Sequence, residues 1–353
     1  MPAAEAASSG RAITAQRNCS IDICRYICAL LVVVNHYDPF FDLNDPAILS
    51  FNHTLASLPV PFFAVVAGFY FTRRLEAGER ALLPYLKRLV IPYAAWSVLY
   101  FAIGFFTTRG MPAGAFAKNC LVRFLISGSE FHLWYFPAVM ISAVITAAFF
   151  RLRAEKLLVS LSFLMYAYQL LQTDYSWLFP RLAMASAMPA AIRANYSLLA
   201  FRRIFFIAFP YFCAGYLAKK LTESESFFRR KSGVILILCA ALYLLEYFTL
   251  AAHGIYSTDI MLSVYLMPVA LAVFLNEHPA SNMALAAKRC RFLAGLTFYA
   301  HPAAFMAISA VGRHVFHATL PHSILYLLIC ALCAALAAVV MKVDNKYLNM
   351  VSC

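Results

Sequence analysis

Apolar residues occur in ten long runs along this chain, and short polar stretches separate the runs. A helix needs about 20 apolar residues to cross the hydrocarbon core of a membrane. The pattern therefore predicts an all-α, polytopic integral membrane protein with about ten transmembrane helices and both termini on one side. The predicted spans cover residues 21–40, 57–75, 89–107, 132–150, 157–173, 203–219, 233–251, 258–275, 292–311 and 322–341.

The composition agrees with this class of protein. Of the 353 residues, 63% are hydrophobic and only 13% are charged, and the mean hydropathy is +0.74. Soluble domains are nearer half apolar and a quarter charged. We therefore expect one membrane domain over residues 20–342, between an N-terminal tail over residues 1–19 and a C-terminal tail over residues 343–353.

The formal net charge of +13 would suit a nucleic-acid-binding protein, but the positions of the basic residues indicate membrane topology instead. Of the 29 Lys and Arg residues, 20 fall in the segments on the N-terminal side of the predicted spans and 8 on the opposite side, while Arg25 lies inside a span. Cytoplasmic loops of membrane proteins carry such an excess. We therefore predict cytoplasmic termini and no nucleic-acid partner.

The ten cysteines do not predict a disulfide framework, because most of them fall inside the apolar runs. A free Cys in such a place packs as a small hydrophobic residue. The sequence also contains no CxxC motif with a matching second pair, so we expect no metal site.

The first span carries three polar residues that need a physical reason. Asp22, Arg25 and His36 interrupt an otherwise apolar segment. At ~100° per residue, the eleven steps from Arg25 to His36 make about three turns, so both side chains project from one face, ~16 Å apart along the axis. Asp22 lies on the same face, three residues before Arg25. Charged groups are costly in lipid, so this face is expected to line a protein interior or a wet cavity.

Several segments resemble the acyltransferase-3 membrane family. The first is the opening Asp-x-x-Arg followed, after ten intervening residues, by His. Ala67 and Gly68 stand where that family usually has Ser-Gly, Tyr135 replaces a Phe, and His301 comes one residue early. In chain order, the other similar segments are VPFFAVVAGFYFTRRL (Val60–Leu75), KRLVIPYAAW (Lys87–Trp96), HLWYFPAVM (His132–Met140), RRIFFIAFPYFCAGYL (Arg202–Leu217) and LAGLTFYAHP (Leu293–Pro302).

This resemblance implies acyl transfer, most often O-acetylation. The expected partners are the lipid bilayer, acetyl-CoA as a cytoplasmic cosubstrate, and a cell-surface carbohydrate or its lipid-linked precursor as acceptor. No permanently bound cofactor is implied. The resemblance also implies a multi-pass protein of the bacterial cytoplasmic (inner) membrane, of the single-domain type without an esterase-like extension.

The chemistry of acyl transfer suggests roles for the polar residues of the first span. His36 is the candidate base, because a neutral imidazole can take the proton of a sugar hydroxyl that attacks a thioester, a role worth roughly 10²–10⁴-fold. Arg25 lies too far from His36 to stabilise an oxyanion there, and suits the CoA phosphates or pantetheine better. Asp22 would orient Arg25, although it could instead cap the helix.

Six further residues are candidates for binding the donor or the acceptor. Each also has a plainer interpretation as an interfacial anchor or a packing residue. They are Arg88, His132, Trp134, Arg202, Arg203 and His301.

Other functions remain open at this point. A wet, charged cavity between helices also suits a carbohydrate transporter, although no inverted repeat or pair of matching broken helices is visible in the sequence. An export or assembly partner in a polysaccharide pathway is a third possibility. The acceptor, the hydroxyl position, the choice between acetyl and another short acyl group, and the role of Glu246 inside the seventh span stay undetermined.

Overall fold

The computed structural model describes residues 18–352, apart from residues 79, 108–111, 176, 179–195, 226, 256–259 and 318. Within these residues the chain is almost entirely helical and contains no β-strand. The predicted all-α class is therefore confirmed. Most of the predicted N-terminal tail lies outside the described residues.

The α-helices of the described residues are numbered here in chain order. They are α1 (Cys19–His36), α2 (Pro46–Ala56), α3 (Pro59–Glu76), α4 (Leu82–Thr107), α5 (Ala113–Val122), α6 (Tyr135–Arg151), α7 (Glu155–Gln172), α8 (Tyr196–Arg202), α9 (Phe209–Glu223), α10 (Phe227–Arg230), α11 (Ser232–Ala252), α12 (Leu262–Glu277), α13 (Ala284–His314), α14 (His322–Val343) and α15 (Lys346–Ser352). Two π-helical segments, Arg123–Ser127 and Arg203–Ala208, directly follow α5 and α8.

Each of the ten predicted spans overlaps helical structure, while residues 258 and 259 of the eighth predicted span lie outside the described residues. By length and composition, seven helical stretches of the described residues could cross a membrane, and α6 and α12 are apolar but shorter. The polytopic membrane class is thus confirmed. The count of ten spans and the cytoplasmic position of the termini stay predictions.

Helix α2 was not predicted, because its sequence contains polar residues and sits between two apolar runs. Asp45 explains its start, since its carboxylate accepts hydrogen bonds from the backbone N–H groups of Ala47 and Ile48 at 2.9 and 3.3 Å. Pro46 then occupies the first helical position, where its missing N–H costs nothing. The stretch from Pro46 to Glu76 is consequently helical almost throughout.

Helices α3 and α9 cross with their backbones in close approach. A Cβ atom added to Gly68 would lie 1.9 Å from the carbonyl oxygen of Phe212, and one added to Gly215 would lie 2.3 Å from that of Val65. The two backbones therefore touch, as they do where small residues line the crossings of membrane helices. Near the end of the crossing, Lys219 pairs with Glu76 and Glu223.

Helix α1 packs mainly against α13, so the beginning and the late part of the chain are neighbours. Asn18 caps α1 through a 3.3 Å hydrogen bond from the backbone N–H of Ile21, and its amide nitrogen donates to the carbonyl of Leu275 at 2.7 Å. Ser20 donates to the carbonyl of His278 at 2.8 Å. These bonds fix the start of α1 against the end of α12.

A stack of nearly parallel aromatic rings joins α4, α6 and α13. Trp96 lies 5.6 Å from Tyr299, Tyr299 lies 5.4 Å from Phe136, and Phe136 lies 5.6 Å from Tyr93, with interplanar angles of 4°, 17° and 18°. Trp96 also donates a 2.9 Å hydrogen bond to the carbonyl of Val351 in α15. Residues 346–352 of the predicted C-terminal tail are thus helical and packed against the bundle.

Candidate active site

Three histidines from distant parts of the chain meet at one point. His36 is the last residue of α1, His301 lies in the middle of α13, and His132 belongs to the turn before α6. The rings of His36 and His301 are stacked with centroids 5.5 Å apart and planes 8° apart, and the His132 ring lies 4.9 Å from that of His301. The sequence named all three residues, and the fold brings them together.

The three imidazoles differ in exposure. His36 is exposed, whereas His132 and His301 keep only 3% and 0% of their surface. A ligand can therefore reach His36 from outside, while the other two rings form the wall behind it. Among the described residues, no group of three His, Cys, Asp or Glu side chains is arranged to hold a metal ion.

The hydrogen bonds of His301 assign its tautomer. Its Nδ1 lies 3.0 Å from the carbonyl oxygens of both Thr297 and Phe298. A carbonyl oxygen can only accept, so Nδ1 carries the proton and Nε2 is left as an acceptor. Nε2 of His301 has no hydrogen-bond partner in the described part of the chain. Buried polar atoms without partners are rare, and they mark places where a water or a ligand binds.

The turn that carries His132 is held rigidly. Gly128 has a φ of 89°, and a Cβ there would lie 2.3 Å from the backbone nitrogen of Trp134. Arg123, in the first π-helical segment, donates to the carbonyl of Ser129 at 2.5 Å. Ser129 and Ser97 share a 2.7 Å hydrogen bond between their hydroxyls. The ring of His132 is thus positioned by α4 and by the π-helical segment, which the sequence did not predict.

Arg203 brings a positive charge near His36. Its guanidinium lies 5.1 Å from the centre of the Trp134 ring, and it interacts electrostatically with His36. Arg203 begins the second π-helical segment, a rare form that is frequent at functional sites. Sequence reasoning could not choose between Arg202 and Arg203, and in the structure Arg203 lies over the Trp134 ring and interacts electrostatically with His36.

The other end of α1 carries a second group of charges. Arg25 lies 3.5 Å from the carboxylate of Asp22, whose side chain is 4% exposed. The side-chain cap of α1 is Asn18, and Asp22 lies in the first turn of the helix. Arg25 interacts electrostatically with Tyr85 and Tyr135, and the exposed Arg88 also interacts with Tyr85. Arg25, Arg88 and Asp22 therefore belong to a region ~16 Å along α1 from His36.

Several site residues were missed by sequence reasoning. The Phe131 ring lies 4.6 Å from that of His36, Tyr37 lies 6.1 Å from His301, and His53 interacts electrostatically with His36. Phe131 and Tyr37 each adjoin a named histidine, which is the signal that could have found them. His53 lies in α2, the helix that the apolar pattern did not predict.

Glu246 has a structural role. Its two carboxylate oxygens accept hydrogen bonds from the backbone N–H groups of Leu262 and Ser263 at 2.7 and 2.8 Å, and a third from the hydroxyl of Tyr175. It therefore caps α12 from the neighbouring helix α11, where a carboxylate also meets the positive end of the helix dipole. Burial, and then the Glu246 carboxylate, raises the pKa of Tyr175.

The sequence of this chain is similar to one family of known proteins and to parts of several others. A family model described as an acyltransferase domain, acyltransferase-3, matches residues 18–343. An amino-acid racemase of Enterococcus faecalis is 30% identical over 129 residues, which cover 35% of this chain and 17% of that protein. A serine/alanine racemase of Enterococcus gallinarum is 26% identical over 137 residues, covering 36% and 19%. The chain thus spans about a fifth of the length of these relatives. No solved structure matches it.

Proposed function

Since the chain belongs to the acyltransferase-3 family, we propose that it moves an acetyl or similar short acyl group from acyl-CoA to a hydroxyl of a carbohydrate. The acceptor is a cell-surface polysaccharide or its lipid-linked precursor, and the protein works in the inner membrane of a bacterium. Acyl-CoA comes from the cytoplasm, and no permanently bound cofactor takes part.

One observation carries this proposal: an exposed imidazole, His36, is stacked on a buried one, His301, whose Nε2 has no partner among the residues that the structure describes. The acceptor hydroxyl attacks the thioester carbonyl while a ring nitrogen of His36 takes the hydroxyl proton. The new C–O bond forms, the C–S bond breaks, and the sulfur leaves as the thiolate of CoA. The proton on His36 then passes to the thiolate or to water. General base catalysis of this kind contributes about 10²–10⁴-fold to the rate.

Arg203 is the residue that we assign to the oxyanion. A positive charge near the reacting carbonyl lowers the energy of the tetrahedral intermediate most when it is fixed in advance. Arg203 interacts with His36 and is held over the Trp134 ring. Arg25 is too far away for that role. Nε2 of His301 and the ring nitrogens of His132 supply further hydrogen-bonding groups to the reactants.

The names of the relatives add no second function to this proposal. The matched stretches make up only 17–21% of those proteins. A racemase activity can reside in the remaining four fifths of their length, so it is not carried over to this chain.

Mass spectrometry of surface glycans tests the proposed function. Cells that produce the protein should carry glycans heavier by one acetyl unit, or another short acyl unit, than cells without it. The purified protein in a bilayer should also release free CoA from acetyl-CoA when lipid-linked glycans are present. Identical glycan masses in both cell types, together with no CoA release, would rule the proposal out.

Arg25 gives a prediction for the donor. We propose that Arg25, paired with Asp22 and near Arg88, binds the phosphates or pantetheine of CoA. Arg25→Ala is expected to weaken acetyl-CoA binding by about 10- to 100-fold, because a charge-assisted hydrogen bond is worth ~1.5–3 kcal/mol. Calorimetric titration of the bilayer-embedded protein measures this. Arg151→Ala is the matched control, since Arg151 is an exposed arginine at the end of α6. Unchanged acetyl-CoA affinity in Arg25→Ala would refute the assignment.

A further inference from the structure

An open cleft of about 340 Å³ lies beside the end of α1. Its polar lining comes from Asn35, Asp38, Ser50 and His53, and the Phe41 ring forms part of the wall. Pockets that bind small molecules begin at about 300 Å³. The cleft therefore has room for a ligand about the size of a sugar ring.

The cleft is adjacent to the histidine cluster. Asn35 directly precedes His36 in the last turn of α1. His53, on the α2 side of the cleft, interacts electrostatically with His36. Successive residues of a helix project about 100° apart, and His36 is not among the described residues that line the cleft. A ligand bound there therefore has to extend around the end of α1 to reach the imidazole.

Two side chains of the cleft have hydrogen-bonding capacity that the described residues do not use. Asn35 is exposed and makes no side-chain hydrogen bond with them. Asp38 is held in place, because its Oδ1 accepts from the backbone N–H of Phe40 at 2.8 Å and from the amide of Asn52 at 3.3 Å. Its Oδ2 accepts no hydrogen bond from the described residues. An oriented carboxylate oxygen and a free amide thus lie beside the same cleft.

We propose that this cleft is the acceptor subsite and binds a neutral, polyhydroxylated ligand, a sugar ring of the glycan, with one hydroxyl directed at His36. The assignment rests on the proposed function. Asp38 Oδ2 accepts hydrogen bonds from sugar hydroxyls, the Asn35 amide donates and accepts, and Phe41 offers an apolar surface to the ring face. Among the described residues that line the cleft, Asp38 is the one that carries a carboxylate, and a carboxylate disfavours anionic sugars.

Labelled acetyl transfer in membrane vesicles that contain the lipid-linked glycans tests this assignment. At limiting acceptor, Asp38→Ala should reduce transfer about tenfold and Asn35→Ala about fivefold, while the KM for acetyl-CoA stays within twofold of the wild type. Asp38→Asn keeps an oxygen for the Phe40 turn, so it separates loss of the cleft carboxylate from local misfolding. Asn119→Ala is the matched control, because Asn119 is an exposed amide in α5 without a side-chain hydrogen bond to the described residues; it should transfer at the wild-type rate.

The outcomes distinguish the two proposals. If the wild type transfers label but the Asp38 and Asn35 variants match it, the cleft is not the acceptor subsite. If these variants raise the KM for acetyl-CoA instead, the cleft belongs to the donor, and the assignment is also overturned. If the wild type transfers no label at all, the proposed function itself fails, and the acceptor assignment fails with it.

Discussion

Replacement of His36 by alanine is expected to lower acyl transfer by about 10²–10⁴-fold, the contribution of a positioned general base. The protein should remain folded, because His36 is exposed and ends α1, so its truncation leaves no buried cavity. The rate is measured as CoA release from acetyl-CoA with glycan acceptor present. The effect should appear in kcat, with acetyl-CoA affinity preserved, since the donor-binding region lies ~16 Å away along α1.

A matched control for this experiment is His314→Ala. His314 is an exposed histidine at the end of α13, on the helix that carries His301, and it should transfer at the wild-type rate. Cells with His36→Ala should lose glycan acylation and keep glycan export. Unchanged acylation would refute the role of His36, and lost export with normal acylation would favour a transporter or export partner.

Replacement of Gly68 by alanine is expected to destabilise the fold by about 3 kcal/mol or more, at the upper end of the cost of overpacking. The added Cβ would lie 1.9 Å from the carbonyl oxygen of Phe212, and that oxygen belongs to the backbone of α9. No side-chain rotation relieves such a clash, so the two helices must move apart. We expect a much smaller yield of monodisperse protein and a lower midpoint of thermal unfolding.

Gly104 supplies the control for this prediction. It lies within α4, and a Cβ there would meet no atom within 4 Å. Gly104→Ala should therefore leave the protein as stable as the wild type or stabilise it by ~0.5–1 kcal/mol, because alanine favours the helix. Equal stability of Gly68→Ala and Gly104→Ala would contradict the close approach of α3 and α9.

The sequence predicted the helices better than their contacts. Long apolar runs gave the position of every predicted span, because burial in lipid requires them. Helix α2 was not predicted, because its start depends on Asp45 and Pro46, which are local capping signals in a polar stretch. Helix α5 lies between the third and fourth predicted spans and is shorter than a membrane span, so the apolar runs did not predict it.

The sequence identified most residues of the candidate site, but it could not predict how these residues are arranged in space. His36, His132 and His301 stood out as polar groups in apolar segments. Only the packing of α1 and of the turn before α6 against α13 brings the rings of His36 and His132 within 6 Å of the His301 ring. The choice of Arg203 over Arg202 depends on a π-helical segment. No role could be assigned to Glu246 from the sequence, because its partners are the backbone N–H groups at the start of α12. These groups follow Glu246 by 16 and 17 residues.

Because α1 packs against α13, the candidate site can assemble only after the late part of the chain has been synthesised. His36 and His301 are roughly 265 residues apart in the chain. At ribosomal rates of about 5–20 residues per second, α1 waits some 13–50 s for its partner helix. During that interval its carboxylate and guanidinium have no late helix to shield them. Asp22 and Arg25 both belong to α1, so they can pair as soon as this helix has been made. Each charge is thus partly neutralised by the other while the rest of the chain is synthesised.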